Sequence, residues 1–466
     1  MHSATAASSQ VLFSPELIAK YDLSGPRYTS YPTAAQFQDY GVAAYSTAAR
    51  ASNAAGAELS IYVHIPFCAT VCFYCACNKV VTNNRAHAAT YLDWLGKEIE
   101  LQAALYDGQR VVRQMHWGGG TPTFLDPAQT ERLMGMLSDN FRCESGPESE
   151  FSIEIDPRAC APGRLAHLRE LGFNRVSFGV QDFDPHVQVA VNRLQSQAVT
   201  FGAIQEARNA GFGSISLDLI YGLPRQTRGS FARTLTEVIA IRPERLSIFN
   251  YAHLPHLFKS QNQIDAASLP SPAEKLAILH HTIDVLTSAG YQYIGMDHFA
   301  LPHDELARAQ RAGTLHRNFQ GYSTHAGCDL IGLGVSAIGM LEGSYHQNEK
   351  TLPDYYAALE AGGLTIARGV VLDDDDRLRR HVIMRLVCAQ DLDIAATEAR
   401  FGIAFKDYFA RELVALSAMA EDGLVTIEAG TIRVHEQGRM FLRQICMCFD
   451  RYIARADHNM RYSRAI

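Results

Sequence analysis

The chain has no apolar run that approaches membrane-spanning length, so no transmembrane helix is expected. It has no excess of basic residues either. Lys and Arg number 42 against 49 Asp and Glu, a net charge of −7. That balance argues against broad nucleic-acid affinity and requires any anionic substrate to be met by local cations. The first ten residues, MHSATAASSQ, carry neither a basic n-region nor an apolar core, so no secretion signal is expected and the protein reads as cytoplasmic. What remains is an ordinary globular composition, 47% hydrophobic and 20% charged over 466 residues, long enough for more than one domain.

Cysteine is unevenly spread. Of ten cysteines, four fall within the stretch IYVHIPFCATVCFYCACNKVV, Ile61 to Val81. Cys68, Cys72 and Cys75 have the spacing C-x3-C-x2-C, and Cys77 follows. Thiolates gathered this closely suit zinc or iron–sulfur. A structural zinc site would want a second Cys or His pair, and none stands nearby at zinc-ribbon spacing. A four-iron cluster ordinarily takes four thiolates, so three on one short loop leave one iron open to another ligand.

Along the chain, residues 1 to about 20 read as a poorly ordered lead-in. Ser24–Thr33, SGPRYTSYPT, is either a surface loop or a lid in which Arg27 supplies a cation beside Tyr28 and Tyr31. From about 59 to 300, seven short apolar runs (LSIYVHI, VVRQMHW, FSIEI, RVSFGV, SISLDLIY, RLSIFNY and YQYIGM) alternate with helical patterns. Repeated βα units imply a parallel sheet with right-handed crossovers. Six or seven units predict an α/β fold with a partial (β/α), TIM-like barrel. The expected divisions are an N-terminal segment 1–50, a catalytic barrel 51–310 and a mostly helical C-terminal domain 311–466.

The strands end in polar or glycine residues: Gly118–Thr121, Glu154 and Asp156, Gln181 and Asp182, Asp218 and Tyr221, Asn250 and His253, then Asp297 and His298. In βα barrels these ends build the active site. The glycines of HWGGGTPT let backbone groups approach a ligand, or serve packing; no Gly-Lys-Ser/Thr follows, so they are not a P-loop. Glu154 ends a buried strand and needs a partner. Asp218 and Arg193 make either ligand contacts or a structural ion pair. Gly332-x-Gly334-x-x-Ala337 reads as close packing rather than a dinucleotide site. The hairpin LVTIEAGTIRVHE after helices suggests a winged-helix shape without a basic reading face. Asp373–Asp376 reads as a solvated helix start, and Cys446 and Cys448 as core thiols.

The C-x3-C-x2-C loop resembles the radical S-adenosylmethionine (radical SAM) superfamily. SGPRYTSYPT, YVHIPFC-x3-C-x2-C-x-CNK, HWGGGTPT, IEIDPR, FGVQDF, LDLIYGLP, RNFQGY and GLGVSAI together resemble the oxygen-independent coproporphyrinogen III oxidases over nearly the whole chain. The resemblance implies anaerobic oxidative decarboxylation of coproporphyrinogen III to protoporphyrinogen IX in heme synthesis, two propionates becoming vinyls through a 5′-deoxyadenosyl radical. It implies a [4Fe–4S] cluster on Cys68, Cys72 and Cys75. One SAM would sit near Tyr62, Gly119, Glu154 and Ile338. A second would contact Tyr74, Gly120, Thr121, Gln181, Arg193, Asp218 and Ala252. Cys77, Arg27, Tyr62 and His64 are the implied catalytic residues. Arg27, Lys79 and the C-terminal arginines are candidate cations for the tetracarboxylate. An electron donor and an electron acceptor are implied, and a monomer without nucleic-acid or membrane partners is expected. The alternatives are a heme-binding relative without decarboxylase activity, which lacks both a Cys77 equivalent and the SGPRYTSYPT lead-in, and a zinc-stabilised binding module.

Overall fold

The structure, a computed structural model, describes residues 15–21, 23–428 and 430–453. The apolar runs become strands β1 Leu59–Ile65, β2 Val111–Gly119, β3 Glu150–Ile155, β4 Arg175–Gln181, β5 Ser214–Tyr221 and β6 Arg245–Asn250. Helices at Ala86–Ala103, Pro127–Asn140, Arg164–Glu170, Gln197–Asn209 and Arg228–Ile241 return the chain between them. Each strand therefore pairs parallel to the one before it. β1 is buried on both faces, as a parallel strand covered by helices must be. Helix starts are encoded locally. Asp126 accepts from the Gln129 amide, Gln129 returns a bond to the Asp126 amide, and Pro127 takes the first helical position, a capping box.

The seventh run departs from expectation. YQYIGM forms β7 Gln292–Gly295, which turns through Met296 and Asp297 into β8 His298–Ala300, and β8 lies antiparallel to both β7 and β6. Two residues cannot make the long crossover that parallel neighbours require. Asp297 and His298 thus precede or open a strand instead of closing one. The seventh parallel strand comes from the glycine-rich segment, where β9 Asp329–Leu333 pairs with β1. β10 Ile338–Leu341, β11 Ser344–Asn348 and β12 Ile366–Val371 extend the sheet antiparallel, with Gln38–Asp39 along β12. The sheet is open, with edges at β7 and Gln38–Asp39, so the partial barrel holds. The division expected at residue 310 cuts this sheet, because β9 is placed by β1 and not by its neighbours in sequence.

A second core forms around helices Asp374–Cys388, Ile394–Phe401 and Ala410–Glu421 and a small sheet of Asp391–Asp393, Thr431–Val434 and Val425–Glu428. This is the winged-helix arrangement the hairpin suggests. Cys446 lies wholly inside it and Cys448 packs against it. Asp373–Asp376 starts a helix and is solvated at Asp373 and Asp374, while Asp375 and Asp376 are drawn inward; Arg451 pairs with Asp373, Asp375 and Asp376 at 2.8, 2.6 and 3.0 Å. Pro15–Tyr21 is helical, where a poorly ordered lead-in was expected, because Tyr21 packs edge-on against Phe441 at 5.8 Å. Nor does SGPRYTSYPT form a lid of tyrosines. Tyr28 and Tyr31 are buried in the second core; Tyr28 donates to Asp450 at 2.9 Å, and Tyr31 accepts the Arg451 amide at 3.1 Å. The candidate cations Arg455, Arg461 and Arg464 lie outside the described residues. Among the described residues no helix is long and apolar enough to cross a membrane.

The Gly332-x-Gly334 segment is a packing device. Glu98, fully buried, accepts the Gly334 amide at 2.6 Å and the side chains of Asn348, Tyr355 and Thr365 at 2.7 Å each. One carboxylate thus fastens the β9–β11 segment to the first crossover helix. Glu98→Leu would strand four donors at once, and denaturant unfolding is expected to show a loss of about 3–5 kcal/mol. Glu98→Gln, which keeps an acceptor, should lose about 1–2 kcal/mol. A Leu variant as stable as wild type would show that the donors find other partners.

Candidate active site

β1 runs directly into the cysteine loop, and the ladder between β1 and β2 continues past the strands. The Gly120 amide donates to the Ile65 carbonyl and the Thr121 amide to the Phe67 carbonyl, both at 2.8 Å. A Cβ on Gly120 would lie 2.7 Å from the Pro66 carbonyl carbon. Gly119 adopts φ +111°, and a Cβ there would sit 2.6 Å from the His64 ring. What the glycines admit so closely is the chain's own cysteine loop and His64.

Cys68, Cys72, Cys75 and Cys77 line one cavity of about 510 Å³. Among the described residues, no three His, Cys, Asp or Glu side chains close on a point where a single metal ion could sit. One zinc at about 2.3 Å from each sulfur would need the sulfurs within roughly 4 Å of one another. Three soft thiols on one loop beside a cavity are instead the donor set of a four-iron cube with one iron left open.

The surroundings of the loop are cationic. Arg158 and Arg193 each donate to the Cys72 sulfur at 3.5 Å, and the Thr121 hydroxyl lies 3.5 Å from the Cys68 sulfur. Both arginines pair with Asp156, at 2.7 and 3.2 Å, and Arg193 donates to the Gly179 carbonyl at 2.6 Å. Arg193 therefore does not pair with Asp218, which accepts from Ser177 at 2.9 Å. The hydrogen bond between Cys75 and Cys77 draws the Cys75 thiol down to about 6, against its burial and helped by Lys79, and holds Cys77 well above the usual thiol range. Lys79 itself donates to the Cys75 carbonyl at 3.2 Å.

Two carboxylates behave oppositely. Burial pushes Glu154 up, but the His116 ring at 3.3 Å and the Gly119 amide at 3.2 Å outweigh it, and Glu154 stays below the usual carboxylate range. Asp218 is pushed up to about 6, by burial and then by the charge of Glu154. Asp182 faces a different role: it is buried, held by Thr234 and Gln226 at 2.5 Å each, and is structural.

A second cavity of about 610 Å³ adjoins the first, sharing Cys77, Gly119 and Glu154 as lining. Tyr62, His64 and Ile338 line it. His64 is buried, and burial holds its ring below the usual imidazole range. Its Nε2 donates to the Asn78 carbonyl at 2.9 Å, so Nδ1 accepts the Tyr62 hydroxyl at 3.0 Å. Tyr74, Gly120, Thr121, Gln181, Arg193 and Asp218 line the first cavity. Gln181 takes φ +67° at a bulge in β4, which turns the strand end into the site. Two expected residues stand apart. Ala252 lines neither cavity; Gln261 donates to its carbonyl at 3.3 Å and to that of Tyr74 at 3.1 Å. Arg27 lines a separate small cavity and donates to the Asn250 carbonyl at 3.0 Å.

The sequence reading missed His116, which stacks on Tyr62 with ring centres 6.0 Å apart and joins Ser152 to Glu154. Strand alternation was the available signal, since His116 has the parity of Gly118 and so faces the same side. It also missed Arg158, whose motif neighbour Asp156 was marked.

Comparison with known proteins agrees with this geometry. A family model for the radical SAM superfamily matches residues 62–238, and one for the HemN C-terminal domain matches 372–441. The chain is 52% identical to the oxygen-independent coproporphyrinogen III oxidase of Pseudomonas aeruginosa and 51% identical to that of Escherichia coli, covering 97% of this chain and 98% of each relative. The solved structure of coproporphyrinogen III oxidase (HemN) from Escherichia coli, described as a radical SAM enzyme, superposes with TM-score 0.91 at 49% identity, covering 95% of this chain and all of that one. With half of its residues shared over almost the full length of such relatives, this chain belongs to the oxygen-independent coproporphyrinogen III oxidases of the radical SAM superfamily.

Proposed function

We propose that the protein is an oxidoreductase that carries out the anaerobic oxidative decarboxylation of coproporphyrinogen III to protoporphyrinogen IX in heme synthesis. Membership of the radical SAM superfamily implies a [4Fe–4S] cluster and SAM. Cys68, Cys72 and Cys75 would hold the cluster, and when bound the two cofactors supply hydrogen-atom abstraction at a propionate side chain. The observation that carries this reading is the convergence of three thiols, an exposed fourth and the strand-end carboxylates on two joined cavities.

Those two cavities also support two SAM molecules per chain. Tyr62, Gly119, Glu154 and Ile338 line one, and Tyr74, Gly120, Thr121, Gln181, Arg193 and Asp218 line the other. Glu154, held ionised by His116, is suited to an ammonium group. The Arg158 and Arg193 guanidiniums donate to the Cys72 sulfur and would hold it in place beside the cluster. The Tyr62–His64–Asn78 chain of hydrogen bonds fixes the ring beside Gly119. Cys77 is exposed and lines both cavities, which supports reading it as a hydrogen donor to substrate or cofactor. We infer a cytoplasmic monomer served by an electron donor and an electron acceptor, without nucleic-acid or membrane partners.

The test is anaerobic reconstitution followed by SAM, reductant, an electron acceptor and coproporphyrinogen III, with protoporphyrin fluorescence read after oxidation. Product is expected; heme binding without product would favour the heme-carrying alternative. Cys77→Ser should keep the cluster spectrum and lose turnover, whereas loss of the cluster would make Cys77 a ligand.

Asp218 yields a pH-dependent prediction. Its folded pKa is raised to about 6, so above that pH the fold carries a buried charge, and below the unfolded carboxyl's pKa of about 4 the penalty vanishes. Asp218→Asn should therefore stabilise the apoprotein at pH 7.5 by about 1–2 kcal/mol, discounted because the group opens on a cavity, and give no gain near pH 4. Thermal melts at both pH values check it, and equal gains would refute the assignment.

A further inference from the structure

Four arginines line one small cavity whose described lining holds a single carboxylate. A cavity of about 40 Å³ is lined by Arg27, Arg317, Arg439 and Arg443 together with Asp297 and Asn250. It lies at the C-terminal ends of β5 and β6, marked by Tyr221 and Asn250. It shares no lining residue with the two cavities around the cysteine loop.

Two of the arginines donate to backbone carbonyls. Arg443 donates to the Gly25 and Pro26 carbonyls and so seats the segment that bears Arg27. Arg27 donates to the Asn250 carbonyl at 3.0 Å and stands 3.7 Å from Asp297. Arg317 is 4% exposed, lies 4.6 Å from the Tyr322 ring centre, and has two N–H groups, at Nε and Nη1, without a hydrogen-bond partner. The Nε of Arg439 is likewise buried and unpartnered.

A guanidinium stays charged at any working pH. Buried donors left unmade and buried charges left unpaired are both costly. Arg27, Arg317 and Arg439 against Asp297, the one carboxylate among the described lining residues, leave a surplus of two positive charges around a space with room for one small polar group. A carboxylate supplies what is missing: a negative charge and two oxygens matched to the guanidinium fork.

We propose that this pocket holds one propionate carboxylate of the tetracarboxylate substrate, a propionate other than the one being oxidised. The inference rests on the functional reading above. Because the pocket is separate from the cavities at the cysteine loop, it acts as an anchor: gripping a distant carboxylate orients the ring so that a reacting propionate reaches the cysteine-loop end. Arg317 and Arg439 are then substrate-binding residues supplied from outside the six βα units, by the segment before β9 and by the C-terminal core.

Coproporphyrin III, the stable oxidised form with the same four propionates, is titrated by fluorescence into reconstituted holoenzyme. Arg317→Met and Arg439→Met should each weaken binding about tenfold or more, with Arg317→Lys recovering part of the loss. In turnover, KM for coproporphyrinogen III should rise by the same factor while kcat stays within about twofold. Cluster absorbance and melting temperature report folding; should Arg317→Met fail to fold, Arg439→Met and Arg317→Lys carry the same comparison. Well-folded variants that bind coproporphyrin III as tightly as wild type overturn the pocket, as does a fall in kcat at unchanged KM. A wild-type holoenzyme that binds coproporphyrin III but forms no protoporphyrin overturns the decarboxylase reading instead, and the titration still decides the pocket.

Discussion

The site depends on the backbone ladder that continues beyond β1 and β2. Two amide–carbonyl bonds, Gly120 to Ile65 and Thr121 to Phe67, tie the first turn after β2 to the chain entering the cysteine loop. Side chains are excluded at this crossing, since Gly120 meets backbone and Gly119 meets the His64 ring. The loop is therefore registered to the sheet by backbone contacts rather than by flexible side chains. This matters for an oxygen-independent oxidase, whose reactive centre must sit at a fixed distance from a bound substrate. Glu98 reinforces the arrangement from behind by holding the Gly334 turn, while the Tyr91 hydroxyl donates to the His64 carbonyl at 2.7 Å.

Charge is allotted unevenly to match. Asp156 is satisfied by two arginines that also face the Cys72 sulfur, and Glu154 is held ionised by His116 and a backbone amide. Burial, and then the charge of Glu154, push Asp218 up to about 6, and its hydroxyl partner Ser177 does not offset them. Two carboxylates on the strands that flank β4 thus present different protonation states to one cavity, and their environments set the difference.

Much of this was legible in the sequence because the signals were local. The C-x3-C-x2-C spacing, the apolar runs of β1 to β6 and the polar strand ends all sit within short windows, and the structure brings the predicted thiols and carboxylates together. What failed was non-local. The run 291–296 has the composition of a strand but no means of revealing that its partner lies two residues ahead in an antiparallel hairpin. β9 joins β1 across some 270 residues, roughly the separation at which no periodicity argument operates. Tyr28 and Tyr31 read as surface-loop or lid residues because their burial partners, Asp450 and the Arg451 amide, are at the far end of the chain. The Arg193–Asp218 pair was chemically reasonable, yet strand order put Asp156 within Arg193's reach instead.

The same non-local contacts explain what the C-terminal region contributes. A chain with net charge −7 offers no long-range attraction to a tetra-anion, so positive charge has to be concentrated where the substrate docks. Arg27 reaches Asn250 at the end of β6 only because Tyr28 and Tyr31, on the same short segment, are fixed in the C-terminal core and Arg443 grips the two residues before it. The winged-helix-like core is thus not a passive appendage. By clamping the first described turns of the chain against the last, it sets a cation at the ends of strands to which it contributes no residue. That arrangement also accounts for why the resemblance to known family members runs from the N-terminal motif to the C-terminal helix and is not confined to the cysteine loop.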